Sequence, residues 1–338
     1  MNTPPPSSQR PVSMRLLAEE CGLSVATVSR ALRGSPLVTA RTRKLVEAAA
    51  HHLGYEFNPY VGQLMSSFRR SQGETMQGNL AFIWCDVWMG REDSQFGVMR
   101  GHALRRAAEL GYSVSEFTLL DHTPTAMVRM LSSRGIRGVL ILSPAGSAGK
   151  SHLRLNLEDF ACVSIGWSLY SPAFHRVRFD HFQATRLAIH HAKRRFGGRI
   201  AVLVDFRYDQ RSDRSCRAAF LSHHPDGPAA AAGLIFDVAG LDVKKLRRAY
   251  EDGKFAGLIV LSRSGLPPGF FDWFPHENMV YLDDDGDTPS FGRVDLRYDL
   301  LGRWSVDHLV GTIQRHETGE PAVPMTIFVP PRWMAGNR

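Results

Sequence analysis

Apolar positions in roughly the first 55 residues recur at helical spacing in three short segments. Each segment follows a serine or threonine that can cap a helix, and a glycine follows each segment where the helix would end. The pattern therefore predicts a small all-helical head. Its predicted helices are Met14–Cys21, Val25–Leu32 and Ala40–His52, with caps at Ser13, Ser24 and Thr39.

From Asn79 onward, short apolar runs alternate with helical patterns. This alternation predicts parallel strands in sheets that helices cover on both faces. Roughly eight to ten strands over about 250 residues fit two doubly wound lobes better than one. The predicted strands are Leu80–Cys85, Val114–Leu119, Val139–Leu142, Val163–Gly166, Ile200–Val204, Leu234–Val238, Leu258–Leu261 and Val280–Asp283. The predicted helices are Val98–Leu110, Thr125–Arg134, Phe182–Arg195, Ser212–His223, Val243–Asp252 and Leu301–His316.

Length and composition agree with a folded protein of more than one domain. The chain has 338 residues, of which 43% are hydrophobic and 22% are charged, close to the average for globular proteins. No apolar run approaches the roughly 20 residues that a transmembrane helix needs. The tail Met1–Pro11 has no apolar core and does not resemble a secretory signal. The four cysteines form no CxxC pair, which favours a reducing cytoplasm and no metal site.

Positive charge is concentrated near the N-terminus. The net charge is +8, and residues 1–72 contain nine lysines and arginines but only four acidic residues, an excess of five. A basic terminal segment points to a polyanionic partner, first nucleic acid and second a membrane surface.

The first two predicted helices and the glycine turn between them have a helix-turn-helix layout. In that geometry, the second helix enters the major groove of DNA and its N-terminal residues face the bases. Arg30 could then present a donor fork to guanine, while Val25 and Ala26 could contact a thymine methyl group. The alternative to the helix-turn-helix interpretation is that the three helices form an ordinary helical subdomain. Ser24, Thr27 and Ser29 are placed for hydrogen bonds to phosphates.

Three segments of the head, Val25–Leu32, Val38–Ala49 and Leu53–Pro59, resemble the DNA-binding head of the lactose/galactose-repressor family of bacterial transcription regulators. The rest of the chain is similar, more loosely, to the family's periplasmic-binding-protein-like sensor, in strand order and in Arg199–Leu203 and Gly319–Pro324. The resemblance implies a helix-turn-helix head plus a two-lobed α/β sensor with doubly wound parallel sheets. The implied division is a tail at 1–11, a head at 12–57, a hinge and linker at 58–78 and a sensor at 79–338.

The resemblance also implies a hinge helix that enters the minor groove as a dimer, where a leucine kinks the DNA. The hinge would be Pro59–Ser67, with Leu64 at the wedge position and Val61 beside it. The chain departs from the family pattern at Tyr60 and Gly62, and a glycine lowers helix propensity by roughly 1 kcal/mol. A hinge helix here should therefore depend strongly on DNA. The alternative for Leu64 is a linker residue packed on the sensor.

The sensor is expected to bind a small, sugar-like effector between its lobes, because ligands of parallel sheets lie beyond the carboxyl ends of the strands. The family places an effector-binding arginine at Arg217, with Arg214 as the neighbouring possibility, and an aspartate at Asp283. Each has a structural alternative, since aspartates at strand ends often cap helices and tryptophans often lie in the core. The aromatic candidates are Trp84, Phe96 and Trp167.

Signals for enzymatic activity are weak. Gly146–Ser151 ends like a phosphate-binding loop, but Pro144 occupies the position of the required first glycine. We therefore expect no catalytic residues, cofactor or metal. The predicted function is a cytoplasmic, sequence-specific DNA-binding regulator, a repressor in type, that acts as a homodimer on a pseudo-palindromic operator and has no membrane partner. The alternatives are a small-molecule-binding protein or a sugar-processing enzyme with a helical appendage.

Overall fold

The protein consists of two compact units, one within Met1–Thr75 and one within Met76–Arg338. The described part of the first unit is helical, and that of the second is α/β. The computed structural model describes residues 14–32, 38–53, 77–84, 95–119, 121–142, 151–261, 266, 270–282 and 290–336.

Three helices form the described part of the first unit, which we call the head. They are α1 (Met14–Glu20), α2 (Val25–Leu32) and α3 (Ala40–Leu53). The prediction of these helices is confirmed, with ends that differ by at most one residue.

A tight turn and a small core hold the head together. Gly22 has a φ of +64°, a left-handed conformation that glycine adopts without strain. The Leu23 N–H donates to the Ala18 carbonyl over 3.0 Å, which closes the turn after α1. The helices pack around a shared core, which is built mainly from Leu17, Ala18, Val28, Ala31, Val38, Val46 and Ala50.

In its described part, the second unit contains two six-stranded sheets and one short two-stranded pair. The strands are β1 (Gly78–Trp84), β2 (Tyr112–Thr118), β3 (Ile136–Ile141), β4 (Ser151–His152), β5 (Ala161–Ile165), β6 (Leu169–Ser171), β7 (His175–Phe179), β8 (Ile200–Val204), β9 (Ile235–Asp237), β10 (Gly257–Val260), β11 (Met279–Leu282), β12 (Gly292–Asp295), β13 (Thr326–Val329) and β14 (Arg332–Ala335). The helices are α4 (Gln95–Glu109), α5 (Pro124–Ser133), α6 (His181–Phe196), α7 (Phe206–Arg211), α8 (Ser215–His223), α9 (Gly227–Ala232), α10 (Val243–Glu251) and α11 (Tyr298–Gln314), with short 3-10 helices at Phe270–Asp272 and His276–Asn278.

Each large sheet is the centre of one lobe. The first sheet has the order β13-β7-β5-β3-β1-β2 and the second has the order β14-β12-β11-β10-β8-β9. Neighbouring strands are parallel, except that β14 runs antiparallel to β12. The order of the described elements carries the chain between the lobes three times, after β7, after β12 and after β13. The prediction of two doubly wound α/β lobes is confirmed.

The structure corrects the predicted elements in several places. The predicted helix Ser212–His223 is wrong at its start, because the chain forms α7, then a turn, and only then α8. In that turn Asp213 and Arg214 have φ values of 58° and 59°, which no α-helix can contain. Four strands of the two large sheets were missed, since they offer no long apolar run: β7, β12 and β14 carry arginine, histidine or aspartate, and β13 is only four residues long.

No helix in the described parts of the chain is both long enough and apolar enough to cross a membrane.

Glycine allows α11 to lie very close to α4 in the first lobe. A Cβ atom at Gly302 would lie 2.2 Å from the backbone oxygen of Met99 and 3.0 Å from the nitrogen of Ala103. Backbone atoms cannot move aside as a flexible side chain can. The contact therefore requires a residue without a side chain at position 302.

We expect Gly302→Ala to lower the free energy of unfolding by about 1–3 kcal/mol, because the added methyl group forces the two helices apart. Gly311→Ala in the same helix is the matched control, since its Cβ would approach only the end of the Arg315 side chain, at 3.2 Å. The control should be neutral or gain up to about 1 kcal/mol from helix propensity. Urea unfolding of both variants measures the difference, and equal stabilities would contradict the close-approach explanation.

Candidate functional site

The N-terminus of α2 is capped by Ser24. Its Oγ accepts a hydrogen bond from the Thr27 N–H over 3.1 Å, and the two hydroxyl oxygens lie 2.8 Å apart. The Ser24 carbonyl accepts from the Val28 N–H over 3.0 Å, so the helix begins where the sequence predicted. Two hydroxyl groups thus stand together at the exposed start of this helix.

One face of α2 is buried and the other is exposed. Val28 and Ala31 lie in the head core. Val25 keeps 44% of its surface exposed, and Arg30 is also exposed. An exposed valine and an exposed arginine on a short capped helix can offer an apolar and a charged contact to one partner.

Some predicted contact residues lack a described side chain. Ala26 and Ser29 lie within α2, but their side chains are outside the described set. The hinge residues Val61 and Leu64 and the effector candidate Asp283 are outside the described residues altogether.

Trp84 and Phe96 pack in the core of the first lobe. Trp84 has no exposed surface, and its ring meets Phe96 edge to face with 5.4 Å between the ring centroids. The Trp84 indole N–H donates to Glu116. The Glu116 carboxylate also accepts from Nε and Nη2 of Arg100, over 2.6 and 2.8 Å. This burial favours the core interpretation of both aromatic residues over a ligand contact.

A cavity of about 540 Å³ lies between the two lobes and contains the third aromatic candidate, Trp167. The first lobe contributes residues that follow β5, together with Arg176 and Glu320, and the second lobe contributes the corner between α7 and α8. Both apolar and charged groups therefore face this cavity. Its lining residues are Trp167, Tyr170, Ser171, Ala173, Arg176, Arg211, Asp213 and Glu320.

The corner between α7 and α8 is built around the carboxylate of Asp209, which is fully buried. Its Oδ1 accepts from the backbone N–H groups of Cys216 and Arg217, over 3.0 and 3.3 Å. Its Oδ2 accepts from Arg217 Nε over 2.5 Å. The Arg214 N–H donates to the Asp209 carbonyl over 2.7 Å. These bonds stabilise the left-handed turn that brings Asp213 to the cavity.

Arg217, the predicted effector-binding arginine, is engaged within its own lobe. Besides the ion pair with Asp209, its guanidinium lies 4.1 Å from the ring centre of Phe206. A quarter of its side chain is exposed, and it is not part of the cavity lining. The alternative, Arg214, occupies the left-handed turn itself. The Asp209–Arg217 pair was missed in the sequence, where nothing marks Asp209 as different from other helix aspartates.

Arg178 packs against Trp167, one of the residues that line the cavity. Its guanidinium carbon is 2.7 Å from the Trp167 ring centre and 4.2 Å from that of Phe328. Burial, and secondly the neighbouring charge of Arg176, lower the pKa of Arg178 to about 9. Arg178 is therefore still charged at neutral pH, in surroundings that oppose the charge.

Asp180 and His181 lie at the start of α6. Asp180 caps the helix by accepting from the Gln183 N–H over 2.9 Å. His181 lies 2.9 Å, Nε2 to hydroxyl, from Tyr208. Burial lowers the pKa of His181 to about 4, so the ring is neutral at physiological pH. Asp180 and His181 therefore act within the second lobe as a cap and a neutral hydrogen-bonding group.

Known proteins match the head in sequence. The family described as "Bacterial regulatory proteins, lacI family" matches residues 13–58. The HTH-type transcriptional regulator AglR of Rhizobium meliloti (strain 1021) is 44% identical over 66 residues, which make up 20% of this chain and 18% of that protein. The match therefore spans less than a fifth of this relative's length.

Solved structures match nearly the whole chain in fold. The lac repressor dimer bound to operator and the anti-inducer ONPF is 18% identical, with a TM-score of 0.55, over 97% of this chain and 98% of that one. The complex of the transcriptional regulator CelR with cellobiose is 18% identical, with a TM-score of 0.53, over 96% of this chain and 99% of that one. At such low identity the likeness shows the fold alone.

We expect Asp209→Asn to lower the free energy of unfolding by about 3 kcal/mol, because it leaves the partly buried Arg217 without its anion. Asp252→Asn is the control, since Asp252 is exposed and lies 4.0 Å from an equally exposed Lys254. The control should change stability by less than about 0.5 kcal/mol. If urea unfolding shows equal losses, the Asp209 carboxylate does not organise this corner.

Proposed function

We propose that this chain, a member of the lacI family of bacterial regulatory proteins through residues 13–58, is a transcription regulator that binds operator DNA as a homodimer and responds to a small molecule. The division predicted from the sequence is retained in this proposal: a head at 12–57, a hinge and linker at 58–78 and a sensor at 79–338. The protein would act in the cytoplasm, where it meets DNA.

The observation that carries the proposal is the exposed face of α2. Its capped N-terminus would meet the DNA backbone through Ser24 and Thr27, while Val25 and Arg30 would reach base edges in the major groove. By their place in the sequence, we assign Ala26 to an apolar base contact beside Val25 and Ser29 to the DNA backbone.

Two copies are required because a single three-helix head buries too little surface for useful specificity. A two-fold dimer would read two half-sites of a pseudo-palindrome. We assign Leu64 and Val61 to minor-groove contacts at the centre of the operator, as the family resemblance implies.

We place the effector in the cavity between the lobes, in contact with Trp167. A ligand that touches both lobes binds one relative orientation of the lobes better than another. The effect on DNA binding is limited to this difference in affinity, typically about 1–3 kcal/mol. Arg217 and Asp283 remain proposed effector residues, with Arg217 oriented by Asp209.

A small-molecule-binding protein or a sugar-processing enzyme remains the competing function. Such a protein would bind DNA duplexes of different sequence without preference. Selection of bound oligonucleotides from a random pool, with and without a metabolite mixture, separates the two. We expect enrichment of a pseudo-palindrome by the full-length protein, and enrichment of no sequence at low salt would refute the proposal.

We expect Arg30→Ala to weaken binding to the selected operator by about 1–3 kcal/mol and to leave binding to random duplex nearly unchanged, because a base contact is lost. Lys44→Ala is the matched comparison, since Lys44 is also exposed in the head. Lys44→Ala should weaken binding to both duplexes alike. It should also reduce the number of counterions released on binding, measured from the salt dependence, by about one. Titration of both duplexes at several salt concentrations measures this, and equal losses for Arg30→Ala would rule out base reading.

A further inference from the structure

Arg178 is a buried cation, and two of its three guanidinium nitrogens have no hydrogen-bond partner among the described residues. The residue is 7% exposed, and within the described parts of the chain its Nε and Nη1 find no acceptor. Arginine is almost never fully buried unless it is paired. A buried donor without an acceptor is unfavourable, and this one also carries a charge.

The aromatic neighbours of Arg178 do not satisfy these donors. Trp167 and Phe328 contact the guanidinium through their rings, at 2.7 and 4.2 Å from the ring centres. Cation–π contacts use the face of the guanidinium, whereas its N–H bonds point outward in its plane. The in-plane donors therefore remain available to an acceptor.

Two other arginines line the cavity to which Trp167, the neighbour of Arg178, belongs. Arg176 lies two residues before Arg178 in β7, so the two side chains share one face of the sheet, and Arg176 lines the cavity. Arg211 reaches the cavity from the second lobe, and its buried Nε also has no partner among the described residues. Both lobes therefore supply positive charge to one place.

The acidic residues of the cavity act on these arginines only at longer range, and the charge of Asp213 is one of those that favour the charged form of Arg178. Asp213 and Glu320 line the cavity, yet in the described structure neither forms an ion pair within 4.0 Å with any of the three arginines. Oε1 of Glu320 accepts from the Ala173 N–H over 2.8 Å. The carboxylates remain available as acceptors for hydroxyl groups.

We infer that the cavity binds a small hydroxylated molecule with an oxyanion group, a carboxylate or a phosphate ester, and that Arg178 binds this group. The inference rests on the proposed effector role of the cavity, and it changes the expected effector from a neutral sugar-like molecule to an anionic one. Trp167 contributes a flat apolar surface. Arg176 and Arg211 add charge from both lobes, so the anion favours the arrangement of the lobes in which these two arginines face the same cavity.

The test uses the full-length protein and two small probes, acetate for a carboxylate and inorganic phosphate for a phosphate ester, at constant ionic strength. Binding is followed by thermal stabilisation and by tryptophan fluorescence. We expect saturable binding of at least one probe at concentrations up to about 50 mM. The probe that binds identifies the source of the anion.

The variants are Arg178→Met and, as the control, Arg207→Met, which removes an equal charge from a side chain that is 71% exposed. We expect Arg178→Met to weaken binding of the probe at least tenfold and Arg207→Met to change it less than twofold. Without a probe, Arg178→Met should unfold at the same temperature as the parent protein or higher, because an unpaired buried charge is removed.

Absence of a saturable response in the parent protein overturns the inference, and so does equal probe binding by Arg178→Met. A lower unfolding temperature of ligand-free Arg178→Met assigns the arginine to structure and also overturns it. Operator binding is measured on the same samples. Loss of the anion response with operator binding intact defeats only this inference, whereas absence of operator binding defeats the proposed regulator.

Discussion

The cavity between the lobes depends on one buried carboxylate. Asp209 accepts two backbone N–H groups and the Nε of Arg217, and so fixes the corner between α7 and α8. Left-handed backbone at Asp213 and Arg214 is unfavourable by itself and persists because these bonds require it. The corner in turn places Arg211 and Asp213 opposite Trp167. A buried charge that does not line the cavity therefore determines where groups that do line it are placed.

Local chemistry made the head predictable. Caps at Ser24 and Thr39 and the glycine turn after α1 each act within a few residues, so the sequence contains the cause of these three helix ends. Apolar strands such as β8 were predictable for the same reason, because burial on both faces leaves a continuous apolar run. The strand β7 alternates arginine with apolar residues, and its place in a sheet depends on neighbours far along the chain.

The residues of the site were less predictable, because the position of a residue near a strand end does not determine whether its side chain is exposed. Trp84 is the last residue of β1, between two neighbouring strands, and it is buried. Trp167 lies two residues beyond the end of β5 and reaches the cavity. Asp205, at the end of β8, caps α7 through the N–H groups of Arg207 and Tyr208. Only the folded chain distinguishes a ligand contact from a core residue or a cap.

The contact between α4 and α11 affects the order in which the chain can fold during synthesis. The first lobe begins with β1 but needs α11 on its helical face and β13 at its edge, and both come from the last fifth of the chain. Most of the second lobe lies between these segments and can form earlier. The head is made first, and the lobe next to it in sequence is completed almost last. A ribosome that stops early would therefore release a finished helical head attached to an incomplete α/β unit.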